Sequence, residues 1–188
     1  MSPRLFFATS LLVTLVCTLC ACDPLANDGG DLPSGAFADF AILDVPADLH
    51  CGFFEDGVVA IRDQEDVDEV VAACAEEADG LASFLAEELA STSHDQQLIF
   101  ITVGLGGCIA GHDLPIVALD DGVIRPWLLK NNTAYGKPEV ACTADVGEAL
   151  ELLRVDDAGE ATSAELTVGV WNSELPGSPY EEHGLSPQ

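Results

Sequence analysis

The hydrophobic and polar positions of this 188-residue chain follow several rhythms, and the changes of rhythm divide it. Residues 5–19 are an unbroken apolar run apart from small hydroxyl side chains. Residues 23–35 are rich in Pro, Gly, Asn and Asp and read as a flexible tether. A dozen such residues, fully extended, reach about 40 Å at most. Residues 40–45 are apolar enough for a first strand, and the short β-branched stretch 57–62 (GVVAIR) predicts another. The period then lengthens. Val67, Val70, Val71, Cys74 and Ala78 recur at helical spacing, with Asp63 placed to cap the helix and Asp66, Asp68, Glu69, Glu76 and Glu77 on its solvent face. Asp79-Gly80 is expected to end it. Leu81, Phe84, Leu85 and Leu89 mark a second, shorter helix running to Ser91-Thr92-Ser93.

Residues 97–103 (QLIFITV) form the most apolar and β-branched run after the first, which predicts a central strand covered on both faces. Residues 116–119 and 123–129 flank Asp120-Asp121-Gly122, the composition of a hairpin. Strands are predicted at 150–155 and 165–171, with a turn at 156–160 between them. Strand, helix, helix and then mostly strands make an α+β fold: a mostly antiparallel sheet with one or two helices packed on one face. The expected organisation is a leader at 1–21, a tether at 22–38, one domain at 39–172 and a flexible tail at 173–188, rich in Pro, Gly and Ser.

The leader carries Arg4 as its one basic side chain. Its apolar run is too short to cross a bilayer, which needs about 20 helical residues, and has the shape of a secretory signal. It ends in Leu19-Cys20-Ala21-Cys22, which resembles the lipobox of bacterial lipoproteins. That resemblance implies cleavage before Cys22 and a diacylglyceryl thioether on its sulfur, with a further acyl chain (palmitate, for example) on its nitrogen in many bacteria. Each buried methylene contributes about 0.8 kcal/mol, so one chain holds marginally and two or three hold stably. The expected location is the cell envelope, with the protein attached to a membrane through Cys22 and the outer membrane favoured over the inner. Asp23 after the lipidated cysteine biases lipoproteins toward inner-membrane retention in some bacteria.

Charge narrows the partners. The chain carries 33 acids against six Lys and Arg, a formal net charge of −27, and loss of Arg4 makes it one unit more negative. Such a field repels nucleic acid and anionic membrane surfaces. The acidity suits solubility or, as an alternative role, a divalent-cation-binding surface. Cysteine parity agrees with the anchor. Of seven cysteines, Cys17 and Cys20 leave with the leader and Cys22 takes lipid, so four remain. An oxidising compartment favours disulfides among Cys51, Cys74, Cys108 and Cys142, with three connectivities open. Cys74 lies on the buried stripe of its helix and Cys51 just before the strand beside it. That placement favours 51–74 and 108–142.

The order strand, helix, apolar strand, glycine-rich turn (GVVAIRDQEDVDEVVAAC, then LIFITVGLGGC) resembles the PrcB C-terminal-like lipoprotein domains over residues 52–171, except that Cys108 stands where that pattern commonly has an aromatic residue. The resemblance implies an interaction domain and not an enzyme. No catalytic, cofactor or metal motif contradicts it. Residues 103–108 lack the Lys-Ser/Thr of a phosphate-binding loop and read as a tight turn near a disulfide. Cys108 and His112 would make a thiol nucleophile and base only if Cys108 were reduced. His50, His94 and His183 form no ligand set, residues 63–68 lack the glycine and glutamate of a calcium loop, and no cysteine pair has zinc-site spacing.

One stretch differs chemically from the rest. Residues 122–138 contain no acid, yet hold Arg125, Lys130 and Lys137 together with Trp127 and Tyr135. Arg and aromatic side chains are enriched at binding hot spots. This island is the expected contact for an envelope protein or cell-wall polymer, unless its cations pair with the chain's own acids and Trp127 belongs to the core.

Overall fold

The computed structural model describes residues 31–52, 55–74, 78–137, 139, 141–175 and 179–182. The leader, Cys22 and His183 lie outside the described residues. The elements in chain order are β1 (Ala36–Phe37), β2 (Phe40–Leu43), β3 (Gly57–Ile61), α1 (Gln64–Ala73), α2 (Ala78–Ser91), β4 (Gln97–Gly107), β5 (Ile109–Asp120), β6 (Val123–Asn132), β7 (Thr143–Val155), β8 (Ser163–Ala164), β9 (Thr167–Trp171) and α3 (Pro179–Glu182). The fold is α+β and mostly antiparallel, with α1 and α2 on one face, as the periodicities predict. The sheet, however, is divided in two. An inner sheet has the order β2-β7-β4-β3 and is antiparallel throughout. An outer sheet has the order β1-β5-β6, with β8 and β9 both running parallel to β6 along its far edge.

The continuous apolar run of β4 is what demands three layers. Ile99, Ile101 and Val103 point into a core shared with Val117, Ile124 and Leu128 of the outer sheet. Leu98 and Phe100 point the other way, into a second core with Val67, Val70, Leu81 and Leu85 of the helices. Each such side chain contributes about 1.5–3 kcal/mol when buried, so both faces need cover.

Local chemistry sets the edges. Asp121 (φ 48°) and Gly122 (φ 78°) turn the β5–β6 hairpin as a two-residue loop of left-handed residues, which matches the twist of the strands. Pro126, in the middle of β6, has no N–H to offer a neighbour. β8 pairs before it, at Val123 and Ile124, and β9 after it, from Trp127 to Asn131, so one proline accounts for the broken edge.

Several boundaries differ from the sequence expectation. Asp63 does cap α1, its carboxylate accepting from the backbone N–H of Glu65 (2.9 Å) and Asp66 (3.2 Å). The helix ends at Cys74, whose backbone is extended, rather than at Asp79-Gly80, and Ala78 opens α2. Asp66 is buried and not on the solvent face, because Arg62 grips it through Nε (2.9 Å) and Nη2 (2.8 Å). Residues 104–107 continue β4 into a bulge instead of forming the turn, and Cys108 alone links β4 to β5. At both ends the domain reaches further than composition suggests. Pro33 is buried and β1 is paired with β5, inside the expected tether. In the expected tail, Tyr180 is buried against Trp127 and meets the Trp171 ring edge-on at 5.9 Å. Among the described residues no helix is long and apolar enough to cross a membrane.

Candidate functional site

The 122–138 island folds as β6 and the turn after it, and its charges are spent within the chain. Arg125 donates from Nη1 to Asp120 (2.9 Å) and from Nε to Glu165 (3.1 Å). Lys130 is 8% exposed, and its ammonium sits between the carbonyl of Gly104 (2.7 Å) and Asp56 (2.5 Å). Lys137 pairs with Glu174. Trp127 is fully buried with Ile116, Leu129 and Tyr180, so its ring is not available to a partner. Tyr135 is half-buried in a turn that Asn172 stitches shut, its Nδ2 donating to the carbonyls of Thr133 (3.1 Å) and Tyr135 (3.0 Å). The hot-spot residue types are present, but the fold uses them to hold β6 to its neighbours.

The cysteines pair as expected. Cys51 bonds Cys74 (Cα–Cα 4.3 Å) and Cys108 bonds Cys142 (Cα–Cα 5.0 Å). Glu148 of β7 accepts from the backbone N–H of Cys51 (2.6 Å), which fixes the chain entering β3 beside the end of α1. With its sulfur in a disulfide, Cys108 offers no thiolate. His112 instead bonds Glu151 through Nε2 (2.7 Å), tying the outer sheet to the inner one. Beside that pair Tyr180 donates to Asp113 (2.6 Å), and burial first, then that carboxylate, hold its phenol above the ordinary range. These two pairs line a pocket of about 150 Å³. Among the described residues no three His, Cys, Asp or Glu side chains are grouped to hold a metal ion.

A second region has the opposite character. β3 ends the inner sheet, and α1 crosses only part of its outward face. Val59 and the Phe100 opposite it in register both point to the helix side. Phe100 is covered, whereas Val59 is left 40% exposed. The result is a groove of about 400 Å³ with Val59, Phe100 and Thr102 along its floor and Glu69, Val70 and Ala73 of α1 as its wall. Gly57 opens one end; a Cβ there would stand 2.9 Å from Thr102 Oγ1.

The rim of this groove is acidic: Glu55, Asp56 and Glu69, with no Lys, Arg or His in the lining among the described residues. Asp56 is held by Lys130 and by the backbone N–H of Gly104 (2.9 Å). Glu55 and Glu69 are exposed, and neither makes an ion pair with a described residue. Another groove, of about 450 Å³ at the end of α2, is lined by polar groups already bonded within the chain, such as Gln97, which donates to the carbonyl of Ile61 (2.5 Å). The β3–α1 groove combines uncovered apolar surface with an exposed acidic rim. Sequence reading missed it because GVVAI marks a strand but not its place at an edge. The adjacent Glu55-Asp56 was the available signal.

No protein-family model matches the chain, and no curated protein and no solved structure is significantly similar to it.

Proposed function

We propose that this chain is a lipid-anchored domain of the bacterial cell envelope that acts by binding a protein or cell-wall partner and not by catalysis. The observation that carries the reading is the fate of the cysteines. Cys51–Cys74 and Cys108–Cys142 use up the four of the folded domain, so a chain cut before Cys22 has one cysteine left, at the position where the lipobox sequence asks for lipid. A domain this acidic is repelled by anionic headgroups, so the acyl chains have to do the holding. The oxidised state of Cys108 leaves no thiolate for nucleophilic chemistry with His112.

Intact-mass spectrometry of membrane-extracted protein tests this reading. The expected species begins at Cys22, carries a diacylglyceryl group and has four cysteines as two disulfides. Cys22→Ala should move the protein from the membrane to the soluble fraction. A mature terminus elsewhere, or an unmodified thiol at Cys22 in membrane-bound protein, would contradict it.

A further inference from the structure

We propose that the β3–α1 groove is the docking face of this domain and that its occupant is an extended, basic segment of a partner polypeptide. One apolar side chain of that segment sits over Val59, with Lys or Arg on either side of it. The proposal rests on the reading of the chain as a binding module and names where and what it binds.

Three observations converge on that occupant. First, β3 closes the inner sheet, and an edge strand turns half of its backbone N–H and C=O groups away from its one neighbour. An extended peptide satisfies those groups by adding a strand, with side-chain pockets giving selectivity. Second, the floor beside the edge is apolar and uncovered at Val59, in a groove of about 400 Å³, within the usual range of binding sites. Third, the charge has a sign. Glu55 and Glu69 are exposed at the rim, and every exported cation is already engaged: Arg62 with Asp66, Arg125 with Asp120, Lys130 with Asp56, Lys137 with Glu174 and Arg154 with Glu88. A second copy of this chain therefore has no cation to spare for the groove, and like charge works against its approach. In a strand, residues two apart share a face about 7 Å from one another, so Lys or Arg two residues either side of the apolar one flank it on the groove side.

Hydrogen-exchange mass spectrometry on the full lipidated protein in detergent tests the assignment, with the capped peptide Ser-Lys-Thr-Val-Thr-Lys-Ser as probe, whose valine and two lysines share one strand face. At ten times its dissociation constant the probe should slow exchange across Gly57–Ile61 about tenfold. Glu55→Lys with Glu69→Lys should remove that protection while leaving the melting temperature unchanged, and Arg125→Glu should keep it. The charge-reversed peptide Ser-Glu-Thr-Val-Thr-Glu-Ser should give none. Protection that falls elsewhere, survives the double reversal or never saturates overturns the proposal. The outcomes separate the two levels of the account: unprotected β3 amides remove the groove, whereas a Cys22 without lipid removes the anchored module.

Discussion

β6 and the β3–α1 groove carry opposite charges and follow opposite rules. β6 lies inside the outer sheet, so a cation on it is surrounded by the chain's own acids, and Arg125 and Lys130 find them within 3 Å. The groove lies at the edge of the inner sheet, where β4 is the one strand hydrogen-bonded to β3 and Glu55 and Glu69 are exposed. The two regions meet at one bond: Lys130 reaches from β6 to hold Asp56 at the groove rim. Residue type thus identifies a chemically unusual stretch, but position in the sheet decides whether that chemistry is spent on folding or left over for a partner.

Truncating each region should separate these roles. The largest effect is expected at Trp127→Ala. Removing this fully buried indole should cost about 3–5 kcal/mol of unfolding free energy, read as a lower denaturant midpoint. Lys130→Met strips the ammonium from a nearly buried pair and leaves Asp56 to the Gly104 N–H. We expect a loss of about 2 kcal/mol, recovered in part by adding Asp56→Asn in a double-mutant cycle. Because Lys130→Met frees Asp56 of its cation at the groove rim, the single variant should strengthen binding of the basic probe, and adding Asp56→Asn should reverse that gain. Arg125→Glu breaks pairs whose acidic partners are largely exposed, so it should cost no more than about 1 kcal/mol and leave probe binding intact.

The smallest effect is expected at Asp66 of α1. The hydrogen bond from Arg62 holds the Asp66 carboxyl below the usual range. Its stabilising contribution is therefore present above the ordinary carboxylate range, about pH 4, and is lost as pH falls through the depressed folded-state value. Asp66→Asn should flatten the acid limb of stability against pH in denaturant titrations.

The layers were legible in the sequence where burial is uniform. The run at 97–103 announced a strand covered on both faces, and the stripe through Val67, Val70 and Cys74 announced the helix and the partner of its cysteine. The boundaries were less legible because tertiary contacts override local signals. Cys74 ends α1 before the glycine does, and the glycines of 104–107 remain in a strand because β7 pairs along their whole length. Tyr180 is held by the aromatic pocket around Trp127 and not by any pattern in its own neighbourhood. The split of one expected sheet into two follows from pairings between residues far apart in the chain. So does the edge position of β3, and with it the groove.

Photocrosslinking in intact cells, with a benzophenone side chain placed in turn at Val59 in the groove and at Tyr135 beside β6, tests this contrast most directly. The account predicts one saturable adduct from the Val59 position, to a basic segment of a single partner, lost when Glu55→Lys and Glu69→Lys are added, and none from the Tyr135 position. An adduct from Tyr135 that persists while Val59 gives none would contradict it.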